Sequence, residues 1–135
     1  MRIAVIDGQG GRMGAAIVAA LKESLPGCEA LAVGTNSIAT SAMIKAGADC
    51  GATGENAVVV ACRSADVIMG PLGIIAADSL MGEVTPAMAV AVGQSAAQKI
   101  LVPTGRCGIT VAGVQEQPLA KAVALAVGAA AALEK

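Results

Sequence analysis

The stretch best suited to chemistry is Asp7-Gly8-Gln9-Gly10-Gly11-Arg12-Met13-Gly14, and the chemistry it suits is binding. Glycine permits tight turns with positive φ, and its missing Cβ lets a ligand oxygen approach backbone N–H groups. The run before it, Met1 to Ile6 (MRIAVI), is short, apolar and rich in β-branched residues. After it, Met13, Ile17, Ala20, Leu21 and Leu25 recur at helical spacing, with Lys22 and Glu23 on the opposite face. A buried strand that runs into glycines and then into a helix opens a βαβ unit. The start of that helix offers unpaired amides and the positive end of a macrodipole, which is where a phosphate fits. Asp7, Gly8, Gln9, Gly10, Gly11, Arg12, Met13 and Gly14 are therefore the first expected ligand-binding residues. Asp7 is the oddity among them. At a strand end its charge repels a pyrophosphate, unless it binds Mg²⁺ or a ligand hydroxyl, or accepts hydrogen bonds from the glycine N–H groups.

Two further glycine turns belong to the same expected edge. Glu29 to Val33 (EALAV) reads as a second buried strand ending in Gly34-Thr35-Asn36-Ser37, and Asp66 to Met69 (DVIM) as a buried strand ending in Gly70-Pro71-Leu72-Gly73. Gly34, Thr35, Asn36, Gly70, Pro71 and Gly73 complete the expected ligand-binding set. Thr35, Asn36 and Ser37 carry groups for a ribose or a carboxylate, and equally for capping a helix. Thr53, Gly54, Glu55 and Asn56 present the same two readings, with Glu55 as a helix-start acid. Arg106 reads as an anion clamp or as a solvated loop charge, and Cys107 as a nucleophile with no histidine to activate it or as a small apolar filler. No residue is singled out as catalytic, and no metal site is indicated.

The elements that must position these residues follow in order. The first helix stops at Pro26-Gly27, and a short helix spans Ser37 to Ala46. Asp49 to Thr53 (DCGAT) is either a loop or a short edge strand. A helix runs from Gly54 through Cys62, and another helix N-terminus is expected after Gly73, through Ile74 to Leu80. Thr85 caps a helix that opens at Pro86. Lys99 to Val102 (KILV) is the next strand, and Pro103 to Gly108 reads as a hairpin loop into a short antiparallel strand, Ile109 to Val114 (ITVAGV). A terminal helix covers Pro118 to Glu134. Alternating strands and helices predict an α/β fold, a three-layer Rossmann-like sandwich whose mostly parallel sheet has the order 3-2-1-4-5. The switch point of that order lies between the first strand and DVIM, where ligands bind in open α/β sheets.

Composition bounds the function. At 135 residues the chain reads as a single domain, 1–135, too short for a nucleotide domain plus a separate substrate domain. A net charge of -1 gives no basic face for nucleic acid. Hydrophobic residues make up 56% and charged residues only 14%, so an exposed apolar surface needs cover. The longest apolar stretch, Ala122 to Leu133, falls short of the roughly 20 residues a bilayer requires, so a homo-oligomer is expected rather than a membrane partner. The absence of Phe, Trp, Tyr and His removes both aromatic stacking and imidazole chemistry. Cys28, Cys50, Cys62 and Cys107 form no C-x-x-C pair, and the strand pattern starts at Met1 without a signal-peptide pattern. The expected setting is cytoplasmic, with reduced thiols.

The opening RIAVIDGQGGRMGAAIV is similar to the start of dihydrodipicolinate reductase, whose G-x-G-G-R-M-G turn binds the pyrophosphate of NAD(P)H. The match covers about the first twenty residues and falls on Gly8, Gly10, Gly11, Arg12, Met13 and Gly14. It implies NAD(P) or another nucleotide as cofactor. Asp7 departs from it, no acid ends the second strand to hold a ribose, and the reductase's large substrate-binding part has no counterpart. Along its length the chain resembles an uncharacterised family of small bacterial proteins, carried as a domain of unknown function, in the blocks GTNSIATSAMIKAGAD, GATGENAVVV and GPLGIIAADSLMGEVTPAMA. That resemblance implies a Rossmann-like fold in a cytoplasmic protein and supplies no activity. Three functions follow as expectations. The first is a module binding a nucleotide or other small phosphate-bearing ligand at the carboxyl edge of the sheet. The second is an NAD(P)-dependent oxidoreductase whose pocket a second subunit completes. The third is a non-catalytic structural or interaction protein, whose mark would be a glycine turn closed by its own side chains.

Overall fold

The computed structural model describes residues 1–134. Five strands, β1 (Arg2–Asp7), β2 (Glu29–Gly34), β3 (Cys50–Thr53), β4 (Val67–Pro71) and β5 (Gln98–Val102), alternate with helices α1 (Arg12–Ser24), α2 (Ser37–Lys45), α3 (Glu55–Ser64) and α4 (Pro86–Gln94), and α5 (Leu119–Ala132) follows β5. The sheet order is β3-β2-β1-β4-β5 with every pair parallel, as the alternation of patterns predicts. The stretch DCGAT contributes the edge strand β3, all four of whose residues are exposed.

Side-chain alternation along β1 builds both faces of the sheet. Ile3 and Val5 point one way, into a core with Ile17, Val18 and Leu21 of α1, Met43 of α2 and Val123, Val127 and Ala130 of α5. Ala4 and Ile6 point the other way, against Val58 and Cys62 of α3 and Met88 and Val92 of α4. A strand covered on both faces must be apolar at every position, which is why MRIAVI is a continuous run. Each fully buried Ile or Val contributes about 1.5–3 kcal/mol through the apolar surface it withdraws from water.

Two expected elements are absent. Residues 109–114 form no strand, and all six are exposed. Gly108 (φ 71°) and Gly113 (φ 82°) put left-handed turns at both ends of the stretch, after a short 3-10 turn at Gly105–Cys107, so the chain never lies along β5. The β-branched composition of ITVAGV reflects propensity without a pairing partner. The helix expected over Ile74 to Leu80 is reduced to a 3-10 turn, Leu72–Ile75. Beyond it the backbone turns at Asp78 (φ 66°), Leu80 (φ 55°), Met81 (φ 56°) and Gly82 (φ 89°), conformations incompatible with a right-handed helix. The Asp78 N–H donates to the Val84 carbonyl at 2.7 Å and the Val84 N–H to the Ser79 carbonyl at 3.2 Å, closing residues 78–84 into a compact loop.

At the switch point β4 crosses so near β1 that a Cβ on Gly70 would press against the Ile6 carbonyl oxygen. Gly70→Ala is expected to destabilise the domain by about 3 kcal/mol, since neither backbone can move without breaking the ladder. Equilibrium denaturation with urea measures this, and a loss under about 0.5 kcal/mol would refute the packing assignment.

Candidate functional site

The carboxyl ends of β1, β2 and β4 bring the three glycine turns together, with the loop 78–84 laid across the first two. At the end of β1, Asp7 is buried, with 5% of its surface exposed. Its Oδ1 accepts from the Gly8 N–H at 2.8 Å and its Oδ2 from the Gly14 N–H at 2.7 Å. The reason lies in the helix that follows. The N-cap of α1 is Gly11, in the left-handed region at φ 71°, and it has no side chain to cap the first turn. Asp7 supplies the missing acceptor from the preceding strand, at the third helical amide. Of the roles open to Asp7, accepting hydrogen bonds from glycine amides is the one the geometry displays. Burial pushes its carboxyl above the usual range, against the two amide bonds, and the neighbouring charge of Glu83 adds to the rise.

Glu83 is the residue that the sequence reading missed. Its Oε1 accepts from the Gln9 N–H at 2.8 Å, the Thr35 hydroxyl at 2.7 Å and Asn36 Nδ2 at 2.8 Å. Asn36 Nδ2 also donates to the Gln9 carbonyl at 3.0 Å, while its Oδ1 caps α2 through the Ala39 N–H at 2.9 Å. Asn36 thus fulfils the capping reading, and the donors of Thr35 and Asn36 serve a carboxylate of the protein itself. Partial burial raises the Glu83 carboxyl, but the three hydrogen bonds outweigh it and leave the group below its ordinary value. Nothing local in GEVTP marks Glu83 as different from any loop acid. Only the fold of residues 78–84 brings it to the turn.

The remaining positions divide between packing and cavity. Gly14 and Gly34 lack room for a Cβ: at Gly14 it would lie 2.6 Å from Met43 Sδ and 2.9 Å from Asp7 Cβ, and at Gly34 it would meet Thr40 and the Asn36 carbonyl. Gly73 is held against Ser79, whose hydroxyl donates to the Gly73 carbonyl. Gly34, Gly70 and Gly73 are therefore glycines for packing reasons. Asp7, Gly8, Gln9, Gly10, Gly11, Arg12, Met13 and Pro71, joined by Leu80 and Thr104, line a hollow of about 120 Å³ over the start of α1. A second cavity of about 290 Å³ shares Arg12, Met13 and Thr104 with it and continues between β5 and α5, past Val102, Glu116, Gln117 and Leu119. The Gly11 N–H is taken by the Gly8 carbonyl at 2.9 Å, whereas the amides of Gly10, Arg12 and Met13 have no protein acceptor among the described residues. A larger groove, about 460 Å³ between α3 and α4, is on the outer helical layer, far from these turns.

Thr53, read as a site or cap residue, bonds the Thr40 hydroxyl at 2.7 Å, a contact between β3 and α2. The Arg106 side chain lies outside the described residues. Cys107 is half-buried, with its thiol 3.4 Å from the Thr104 carbonyl. Burial pushes the Cys62 thiol up to about 11, which keeps it protonated and inert. Among the described residues, no group of three or more Cys, Asp or Glu is placed to hold a metal ion.

The two carboxylates act on stability in opposite directions. Asp7 is raised in the folded state, so its ionisation opposes folding. Stability falls as pH rises from the ordinary 3.8 to its folded value and is level above that. Glu83 is depressed, so its contribution is full above the ordinary 4.5 and is lost as pH falls through its folded value. Urea denaturation across this range should show Asp7→Asn reducing the loss on the alkaline side and Glu83→Gln reducing the loss on the acid side, to which Asp49, also depressed, contributes the remainder. An unchanged profile in either variant would contradict the assigned partner set.

No curated protein matches the chain. Among solved structures it is similar to a dodecameric FMN-dependent UbiX-like decarboxylase from Escherichia coli O157:H7, at 21% identity over 96% of this chain and 76% of that one, with a TM-score of 0.46. Among the described residues, no helix is long and apolar enough to cross a membrane. Residues 2–134 match the model of the family described as a domain of unknown function, DUF3842, and the chain belongs to that family.

Proposed function

We propose that this chain binds a small ligand through an anionic, phosphate-type group seated on the first turn of α1, with the rest of the ligand in the cavity between β5 and α5. The observation that carries this reading is the set of open amides at Gly10, Arg12 and Met13, facing the hollow that continues into the larger cavity. Amides at a helix N-terminus attract an anion through both their unpaired N–H groups and the macrodipole. Arg12 is exposed at the mouth and adds positive charge. The ligand is compact and of nucleotide type rather than an extended dinucleotide. In a Rossmann-like sheet a dinucleotide's ribose rests at the end of the second strand, and here Glu83 occupies the donors at Thr35 and Asn36. The oxidoreductase reading has correspondingly less support.

The non-catalytic reading is favoured by a separate observation. Asp7 and Glu83 together satisfy the Gly8, Gln9 and Gly14 amides, so a large part of the glycine turn is closed by the protein's own side chains. A homo-oligomer in the cytoplasm completes the proposal. Its support is the apolar surface left in water, with Met81 94%, Ile38 70% and Leu125 59% exposed.

Gly10 allows a clean test, because a Cβ there meets no atom within 4 Å and a larger residue leaves the fold intact. Thermal denaturation with inorganic phosphate, AMP, flavins or NAD(P)H should reveal at least one stabilising compound. At a hundred times its dissociation constant that compound adds about 2.7 kcal/mol. Gly10→Val should remove the effect without lowering the melting temperature of the free protein. Failure of every compound would leave the non-catalytic reading standing. Light scattering is expected to give a mass above that of one 13.0 kDa chain, and a monodisperse monomer would overturn the oligomer.

A further inference from the structure

We propose that Glu83 is an internal blocking anion, and that residues 78–84 form a strap which withdraws it to admit a second anionic group of the ligand onto the Gln9 amide, Thr35 and Asn36. The inference deepens the phosphate-binding reading and rests on it. Three observations converge. Glu83 places one carboxylate oxygen on three donors from two different turns, at 2.7 to 2.8 Å, the arrangement in which a phosphate oxygen is bound. The Gln9 amide is adjacent in the chain to the open Gly10 amide, and both residues line the hollow over the start of α1. Finally, the strap is held in a conformation that its residues do not favour. Asp78, Leu80 and Met81 are all left-handed, none of them is glycine, and Met81 stands almost wholly in solvent. Such strain persists only where neighbouring contacts impose it, and here these are the Glu83 side-chain bonds together with the loop's own hydrogen bonds and the packing of Leu80.

The strap has further anchors, among them Leu80, which packs against the core cluster of Ile6, Ile74 and Val84. Asp78 and Val84 pair with each other's side of the loop, and Ser79 ties its start to Gly73. Val84 is buried at its base, beside Thr85, which caps α4 through the Met88 N–H at 3.2 Å. These contacts fix both ends, and residues 80–83 between them are tied by the Gly82 N–H to the Asp78 carbonyl at 3.0 Å and the Glu83 N–H to the Leu80 carbonyl at 3.2 Å, so they swing as one turn. Leu80 lies over the hollow above α1, so the same movement that removes Glu83 widens that hollow.

Titration calorimetry with inorganic phosphate and inorganic pyrophosphate separates the two readings. Phosphate should bind wild type at one site, on the open amides, and Glu83→Ala at that site and on the vacated donors, while pyrophosphate should bind Glu83→Ala at least tenfold more tightly than wild type. Glu83→Gln, which keeps the shape and loses the charge, should lie between them. Amide hydrogen exchange supplies a second readout. Residues 80–83 should exchange faster in Glu83→Ala than in wild type, and faster in wild type with pyrophosphate than without. Equal pyrophosphate affinity in wild type and Glu83→Ala, or strap exchange unmoved by pyrophosphate and by the substitution, overturns the strap while phosphate binding upholds the first reading. Loss of phosphate and pyrophosphate binding in every form overturns both.

Discussion

The arrangement depends on one carboxylate placed where a strand becomes a helix. Asp7 leaves the end of β1 and turns back under the glycines, and its two oxygens hold the first amide of the turn and the third amide of α1. A helix whose N-cap is glycine has no side chain of its own for that position, and an unsatisfied amide buried there costs about 1–3 kcal/mol. The carboxylate fixes the distance between strand end and helix start, which in turn excludes a Cβ at Gly14 and draws α1 against Met43. It is also a buried carboxylate at the point where the sheet edge meets the helix start.

Glu83 extends this pattern outward. Asp7 and Glu83 occupy successive amides, Gly8 and Gln9, one from below and one from above. Burial makes Asp7 costly to ionise, and the charge of Glu83 adds to that cost. Glu83 remains ionised with three donors and partial access to water. What stays open is the far side of the turn, towards β5, where Asp7 lines the hollow and Glu116 the cavity beyond it. The asymmetry between a closed β2 side and an open β5 side distinguishes this edge from a plain dinucleotide cradle.

The helices and strands were largely legible because their signals are local. MRIAVI, EALAV and DVIM are β-branched runs bounded by glycine and became β1, β2 and β4, and the 3.6-residue recurrence of Ile17, Leu21 and Leu25 became the buried face of α1. The failures were local signals without a tertiary partner. ITVAGV has strand composition, but glycines at 108 and 113 keep it away from β5, and Ile74 to Leu80 has helical composition in a loop that must reverse to bring Glu83 back. In the candidate site, the spacing of glycines pointed to the carboxyl edge of the sheet, yet it did not separate glycines required by packing from the exposed Gly10.

The sequence by itself determined the layer architecture, the strand order and the position of the glycine turns, because periodicity and chain connectivity suffice for a right-handed parallel α/β fold. Only the tertiary structure decided which amides in those turns are free. That depends on Glu83 meeting Gln9, Thr35 and Asn36 across more than forty residues of chain, a contact made by loop backbone in left-handed conformations that no residue pattern announces.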